Sequence, residues 1–198
     1  MTTNELKTQL IAALECKGGA SSDFDLNPTI KLPEGRPLKE AAVLMAFHVD
    51  DGSLILTKRA AHLKHHPGQI ALPGGRRDAT DPSLQATALR EAQEEIGLDP
   101  ANVEILGALA PHETVTGYVA TPILALVKER FAYTPEVGEV EEVFAVPFAH
   151  IAQAANYRIE SRIWQGTRRH FFTVPYGPYY IWGATARMLR GLADRMET

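Results

Sequence analysis

The segment from Asp81 to Gly97 constrains the fold most, because both ends of a helix can be identified in it. Asp81 can accept hydrogen bonds from the free amides of a helix start. Pro82 follows at the first helical position, where its missing N–H has no consequence. Gly97 can adopt the left-handed conformation that ends a helix. The sequence therefore predicts a helix over 82–96, with Asp81 as its N-cap.

The rest of the chain contains short strand patterns and a few helices, joined by turns such as Asp51-Gly52. A long Ser-, Asp-, Pro- and Gly-rich loop covers 20–37. The predicted strands cover 41–49, 54–59, 70–72, 103–110, 121–127, 140–146 and both sides of Gln165-Gly166. Further helices are predicted over 4–16, 148–154 and 180–195. Strands that precede and separate helices without regular alternation favour an α/β fold with a mixed sheet between helices.

The composition limits the classes of partner. The chain has 198 residues, 45% of them hydrophobic, which suits one domain with a substantial core. The chain contains 20 Lys and Arg and 24 Asp and Glu, and this slight negative balance argues against a general nucleic-acid-binding protein. The polar N-terminus and the absence of any run of about 20 apolar residues predict no signal peptide and no membrane span. Cys16 is the only cysteine, which fits a reducing compartment, so we expect a cytoplasmic protein.

Three carboxylates share one side of the predicted helix. At about 100° per residue, Glu91, Glu94 and Glu95 fall within one arc, whereas an apolar set points to the opposite side. That apolar set is Leu89, Ala92 and Ile96. The carboxylates repel one another near the helix end whose dipole disfavours negative charge, so a cation is expected among them. Magnesium, which takes oxygen ligands and substrate phosphates, is the best candidate.

The Gly-Gly loop before the helix and the capped helix at fixed spacing favour an ion site over a solvated acidic face, which would otherwise explain these glutamates. Arg90 lies four residues before Glu94 and can pair with it. The Gly74-Gly75 turn can bring bare backbone close to the same helix, where a carbonyl could serve as a ligand.

Residues 75–98 resemble the Nudix box, whose usual form is G-x5-E-x7-R-E-U-x-E-E-x-G-U, with U an aliphatic residue. Gly75 is followed by Asp81 in place of the first glutamate, and one extra residue precedes Arg90. The segment from Arg90 to Leu98 keeps the pattern, with Ala92 at an aliphatic position. The resemblance implies an α/β/α sandwich around a mixed, curved sheet, with a Nudix hydrolase domain over 38–198 and an N-terminal helix and loop over 1–37 as an appendage. That appendage would either cap the sheet or make a homodimer contact.

The segment before the box is similar to the coenzyme A pyrophosphatase branch, L-L-T-x-R-[SA]-x3-R-x3-G-x3-F-P-G-G. Residues 55–60, Gly68 and 72–75 carry the match, with Lys64 in place of Arg and Leu72 in place of Phe. The later IWGATA, 181–186, also looks like that branch. The resemblance implies hydrolysis of coenzyme A or acyl-coenzyme A to 3′,5′-ADP and 4′-phosphopantetheine, with Mg²⁺ as cofactor and Mn²⁺ as a substitute.

The resemblance also implies roles for the box residues. Glu91 and Glu95 would be the principal metal ligands, Glu94 a third ligand or a water-positioning group, and the Gly75 carbonyl a further ligand. Arg90 would fix the Glu94 rotamer.

A cluster of donors before the box suits a substrate with several phosphates. The alternative is a solvated basic loop. A zinc site is disfavoured because no Cys or third His stands at ligand spacing from His65 and His66. The predicted substrate-binding residues are Arg59, Lys64, His66, Gly68, Gln69, Gly74 and Gly75.

A general base from outside the box is predicted among four glutamates, of which Glu139 is preferred at the start of its strand. The others are Glu136, Glu141 and Glu142, and a solvated acidic turn is the alternative for each. His112 and Glu113 form a second, weaker choice. Arg168, Arg169 and His170 are expected to be surface charge.

Two rival functions share the same helix. One is a Nudix hydrolase that prefers ADP-ribose, NADH or a dinucleoside polyphosphate. The other is a nucleotide sensor that does not cut its ligand, although a sensor has no need of three repelling glutamates.

Overall fold

A computed structural model describes residues 2–30, 35–164 and 166–197. Residues 31–34 of the predicted loop and Gln165 of the predicted hairpin turn lie outside these ranges. The helices are α1 (Thr3–Glu15), α2 (Leu84–Ile96), α3 (Phe148–Ile151) and α4 (Gly183–Met196). The strands are β1 (Ser21–Ser22), β2 (Lys39–His48), β3 (Ser53–Arg59), β4 (Ile70–Ala71), β5 (Gly74–Arg76), β6 (Val103–Ala108), β7 (His112–Glu113), β8 (Tyr118–Val127), β9 (Val140–Pro147), β10 (Arg158–Trp164) and β11 (Thr167–Thr173).

The main sheet is mixed and open. β2 pairs in parallel with β8 from Lys39 opposite Tyr118 to His48 opposite Val127. It pairs antiparallel with β3 and β5, while β3 also pairs antiparallel with β4 and β9. β8 takes β6 and β7 as antiparallel neighbours, and β1 lies parallel to β7. β10 and β11 form a separate antiparallel hairpin. The prediction of a mixed sheet is confirmed.

Helices cover both faces of this sheet, as an α/β/α sandwich requires. On one face, α2 buries Ala88, Ala92 and Ile96 among strand residues such as Leu44 and Ile123. On the other, α1 and α4 share a larger cluster, to which they contribute Leu6, Leu10, Leu189 and Leu192. The α/β/α sandwich predicted from the sequence is confirmed, and α1 covers the sheet. No helix within the described ranges is long and apolar enough to cross a membrane.

The predicted N-terminus of the carboxylate helix is wrong, although its C-terminus is confirmed. Ser83 is the N-cap and accepts a hydrogen bond from the Ala86 amide at 3.1 Å, so the helix begins at Leu84. Asp81 does not cap it, because its carboxylate turns inward to a network described below. Gly97 ends the helix with φ 72°, as predicted.

The apolar side of α2 also differs in one position from the prediction. Ala92 and Ile96 are fully buried, but Leu89 is only half-buried and Ala88 takes the core position. Ala88, Ala92 and Ile96 are spaced by four, which places them in one row along the helix. The closing helix likewise begins at Gly183 instead of 180, since Trp182 is still bridged to Thr173 as extended chain.

Candidate active site

The carboxylates of α2 occupy three different environments. Glu95 is only 6% exposed, and its Oε2 accepts a hydrogen bond from the Gly74 amide at 3.0 Å. Burial raises the pKa of Glu95 to about 7, against the opposing effect of that amide. Burial also raises the pKa of Glu91, which is half-buried. The side chain of Glu94 is 58% exposed. Glu91 and Glu95 therefore form the inner part of the site and Glu94 its rim.

Gly74 and Gly75 lie directly against these carboxylates, as predicted, but they belong to strand β5 and not to a turn. The strand holds them opposite Ala42 and Val43 of β2. A Cβ on Gly75 would lie 2.5 Å from the Glu91 carboxylate carbon, and one on Gly74 would lie 2.4 Å from the Ala42 carbonyl oxygen. The contact at Gly74 is with backbone and cannot be relieved, whereas a Cβ on Gly75 would displace the Glu91 carboxylate. Glycine at both positions therefore lets the backbone approach Glu91 in its present position.

Arg90 is surrounded by acceptors. Its Nε and Nη2 donate to the two oxygens of Asp81 at 3.1 and 3.0 Å, and its Nη1 donates to Glu94 at 2.9 Å. A further ion pair of 2.9 Å joins Nη2 to Glu91. The predicted Arg90–Glu94 pair is confirmed, and Arg90 also fixes the carboxylate of Glu91.

Asp81 connects this network to the turn before α2 and to the first part of the helix. It accepts from the Asp78 amide at 2.9 Å and from the Thr87 hydroxyl at 3.0 Å, in addition to Arg90. The Arg90 guanidinium holds the pKa of Asp81 well below its ordinary range. Asp81 is therefore an ionised, buried group that orients Arg90. This role explains why an acidic residue stands here without capping the helix.

Glu139 and Arg59 act electrostatically on the inner carboxylates. The charge of Glu139 raises the pKa of both Glu91 and Glu95, whereas the charge of Arg59 lowers that of Glu95. The backbone explains this proximity, because the Glu139 carbonyl accepts from the Ala60 amide at 2.8 Å. The Glu136 amide donates to the Glu95 carbonyl at 2.9 Å, which ties the same loop to the end of α2.

Three of the other candidates for a general base have partners elsewhere. Glu141 pairs with Lys58 at 2.7 Å, and Glu142 accepts from the Tyr179 hydroxyl. Glu113 is ion-paired to Arg36. Glu139 is the candidate whose charge acts on both inner carboxylates.

His112 is fully buried, and its two ring nitrogens contact Ser21 at 2.9 Å and Asp23 at 3.1 Å. These contacts attach the short strand β1 to β7, so His112 is part of the packing between the N-terminal segment and the sheet.

The predicted substrate-binding residues lie in different environments in the structure. Its ends are closed by backbone hydrogen bonds from Arg59 to Gln69 and from Gly68 to Arg59, at 3.0 and 3.1 Å. The Arg59 Nε is buried and has no hydrogen-bond partner within the described ranges. His66, with φ 54°, is close to Arg59 and Gln69, and burial lowers its pKa. Lys64 is exposed and makes no ion pair in the part of the chain described.

Two residues that the site prediction did not include, Gly183 and Asp23, lie near this segment. Gln69 lies beside the first turn of α4, where a Cβ on Gly183 would be 3.7 Å from its Nε2. The charge of Asp23 acts on His66. The IWGATA match pointed to the first of these contacts, but no local pattern marks Asp23.

The chemistry of the donor set fits a hard divalent cation. Among residues 2–30, 35–164 and 166–197, no three His, Cys, Asp or Glu side chains are already grouped as an ion site. Glu91 and Glu95 supply only oxygen donors, and burial raises the pKa of both even though Arg90 pairs with Glu91 and the Gly74 amide donates to Glu95. These two side chains, with the backbone at Gly75, could hold an ion and would lose their electrostatic penalty on doing so.

Comparisons with known proteins agree in one family. A model of the NUDIX domain matches residues 38–165. Proteins named "Uncharacterized Nudix hydrolase NudL" from Salmonella paratyphi B and Salmonella newport are each 40% identical over 156 residues, covering 78% of this chain and 81% of the relative. The crystal structure of the Nudix hydrolase RenU from M. smegmatis is 25% identical with a TM-score of 0.46, covering 59% of this chain and 74% of that one.

Proposed function

The chain belongs to the Nudix hydrolase family, and we propose that it hydrolyses the diphosphate bridge of coenzyme A or an acyl-coenzyme A. The family match makes it a pyrophosphohydrolase that acts on a substrate linked through a nucleoside diphosphate. The narrower choice of coenzyme A rests on the residues from Ile55 to Gly75 that resemble the coenzyme A pyrophosphatase branch.

One observation supports a diphosphate next to Glu95. The buried Nε of Arg59 has no partner within the described residues, and burying an unpaired donor is unfavourable. The charge of Arg59 also lowers the pKa of Glu95, so the two groups are close enough to interact. A phosphate oxygen would satisfy this donor and would lie beside the two inner carboxylates. Arg59 is therefore assigned to the diphosphate, with His66 and Gln69 next to it, and Gly74 and Gly75 form the floor.

The ion we assign to this site is Mg²⁺, with Mn²⁺ as a substitute, held by Glu91, Glu95 and the Gly75 carbonyl. When bound it supplies neutralisation of the diphosphate oxygens and a lowered pKa of the attacking water. Glu94 lies at the rim and is held by Arg90, which suits a water-positioning group better than an inner ligand.

We propose that Glu139 is the general base of a direct attack by water on the diphosphate. Glu139 accepts a proton from the water as its oxygen bonds to one phosphorus. The bond between that phosphorus and the bridging oxygen breaks, and the second phosphate leaves with the bridging oxygen. The products from coenzyme A are 3′,5′-ADP and 4′-phosphopantetheine. We assign the reaction to the cytoplasm, since a lone Cys16 suits a reducing compartment.

The deciding experiment incubates the purified protein with coenzyme A, ADP-ribose and NADH, each with Mg²⁺ or with EDTA, and separates the products by chromatography. We expect 3′,5′-ADP from coenzyme A only in the presence of Mg²⁺, well above cleavage of the other two. Preferential cleavage of ADP-ribose or NADH would overturn the substrate assignment and keep the reaction. Cleavage of none of them would favour the sensor.

A further inference from the structure

Two arginines stand directly opposite each other in the hairpin of β10 and β11. The register pairs Arg162 with Arg169, between the pairs Ser161–His170 and Ile163–Arg168. Directly opposed residues of an antiparallel pair project from the same face, and like charges in that arrangement are destabilising. A bound anion would offset the repulsion between the two guanidinium groups.

The chain itself does not neutralise these two charges. Within the described ranges, neither guanidinium has a carboxylate at ion-pair distance. Each instead lies over an indole ring, Arg169 at 4.7 Å from the centroid of Trp164 and Arg162 at 5.8 Å from that of Trp182. The Nε of Arg169 is buried and has no hydrogen-bond partner among the described residues. The rings hold the two guanidinium groups in place, and the Nε of Arg169 stays without a partner.

The face that carries the two arginines is joined to the substrate segment. Trp182 packs edge-to-face on Phe171 of β11, with ring centroids 5.2 Å apart. The next residue, Gly183, is the neighbour of Gln69. The arginine face thus begins one residue away from a contact with the substrate segment.

A second connection runs through Asn27, whose side chain exchanges two hydrogen bonds with the backbone of His170, at 2.8 and 2.9 Å. Its Nδ2 also donates to the carbonyl of Asp23, whose charge acts on His66. The hairpin is therefore fixed to the loop beside the substrate segment at the residue next to Arg169.

We propose that Arg162 and Arg169 form a site for a phosphate monoester of the substrate, separate from the diphosphate that is cut. A phosphate monoester carries close to two negative charges near pH 7, and paired guanidinium groups can each bind it through two parallel hydrogen bonds. The identity of the ligand rests on the proposed function, because in coenzyme A this group is the phosphate on the ribose 3′ oxygen. Arg169, expected from the sequence to be surface charge, becomes a specificity-determining residue.

The test compares coenzyme A with dephospho-coenzyme A, which lacks only that phosphate. The kcat/KM of both is measured for the wild-type protein, the Arg162→Gln/Arg169→Gln variant and Arg168→Gln. Arg168 is the matched control, because it lies on the opposite face of the hairpin and donates to Ser161 at 2.9 Å. In the double variant we expect kcat/KM for coenzyme A to fall at least about tenfold, with that for dephospho-coenzyme A unchanged.

Other outcomes separate this inference from the proposed function. Equal cleavage of both substrates by the wild type, or an equal fall for both in the double variant, would overturn the monoester site and keep the coenzyme A activity. If the wild type cleaves neither, the proposed function is wrong, and binding of 3′,5′-ADP against 5′-ADP decides. Tighter binding of 3′,5′-ADP that is lost in the double variant would retain the site, and equal binding would reject it.

Discussion

The inner face of α2 and the hairpin of β10 and β11 have opposite charge imbalances. On α2, Glu91 and Glu95 pack against Gly74 and Gly75 of β5, and burial raises the pKa of both. On the hairpin, Arg162 and Arg169 project from the same face, and neither has a carboxylate at ion-pair distance among the described residues; Glu160 on that face accepts from the Tyr180 hydroxyl instead. One region has negative charge that its surroundings disfavour, and the other has positive charge that its partner strand disfavours.

Arg90 shows how the same chain treats a charge with a structural role. It contacts Asp81, Glu91 and Glu94 within about 3 Å, so its charge is fully compensated. The contrast separates Arg90, whose ion pairs orient its neighbours, from Glu95 and the two hairpin arginines. These three side chains have no ion pair within the described ranges, and they mark where an ion or a phosphate is expected. Four experiments, from the largest expected effect to the smallest, test that distinction.

Glu95→Gln should reduce kcat on the cleaved nucleotide at least about a hundredfold, because an inner carboxylate is replaced by a neutral amide of the same shape. Glu94→Gln is the matched control on the same helix, and its exposed position predicts a smaller loss. Steady-state kinetics, with circular dichroism to verify the fold, give both values. A loss below threefold for Glu95→Gln would contradict the assignment of the inner site.

The stability of the protein in EDTA should fall as the pH rises from about 4.5 to 7. Burial raises the pKa of Glu95 from 4.5 to about 7, so the folded state binds this proton more tightly than the unfolded state. The stabilisation is complete below the unfolded pKa and is lost as the pH passes the folded pKa, by up to about 3 kcal/mol. Urea unfolding across this range measures it.

The same pH series separates Glu95 from other titrating groups. Glu95→Gln should remove most of the slope, and Mg²⁺ should reduce it in the wild type because the ion favours the charged carboxylate. An unchanged slope in Glu95→Gln would show that another group is responsible.

Asp81→Asn should lower the Tm by at least about 5 °C, because it breaks the buried network around Arg90 and leaves donors unsatisfied. Asp78→Asn is the control, an exposed carboxyl at the other end of the same turn, and should change the Tm little. Thermal unfolding followed by circular dichroism compares them. Equal Tm values for the two variants would show that Asp81 does not orient Arg90 through a stabilising contact.

The Arg162→Gln/Arg169→Gln variant should have a free energy of unfolding within about 0.5 kcal/mol of wild type, since lost contacts with the indoles offset relieved repulsion. Chemical denaturation without added phosphate measures this quantity. A large destabilisation would make the pair structural, like Arg90, and would remove the contrast between the two regions.

Local patterns predicted much of the fold and half of the site. The hairpin at Asp51-Gly52, the end of α2 at Gly97 and the mixed sheet follow from turn chemistry and periodicity, and the structure confirms them. The Arg90–Glu94 pair follows from helical spacing. Asp81 was assigned to the cap because an acidic residue before proline satisfies local rules, but its carboxylate instead accepts two hydrogen bonds from Arg90, nine residues later.

The sequence by itself determined which residues could carry charge on one side of α2, because a helix repeats every 3.6 residues whatever surrounds it. Only the tertiary structure decided which of these glutamates is buried, since burial depends on β5 packing its glycines against Glu91 and Glu95. The same holds for the hairpin. The pairing of β10 with β11 sets Arg162 opposite Arg169, but the position of that face relative to the substrate segment depends on α4 and Asn27, which lie far away along the chain.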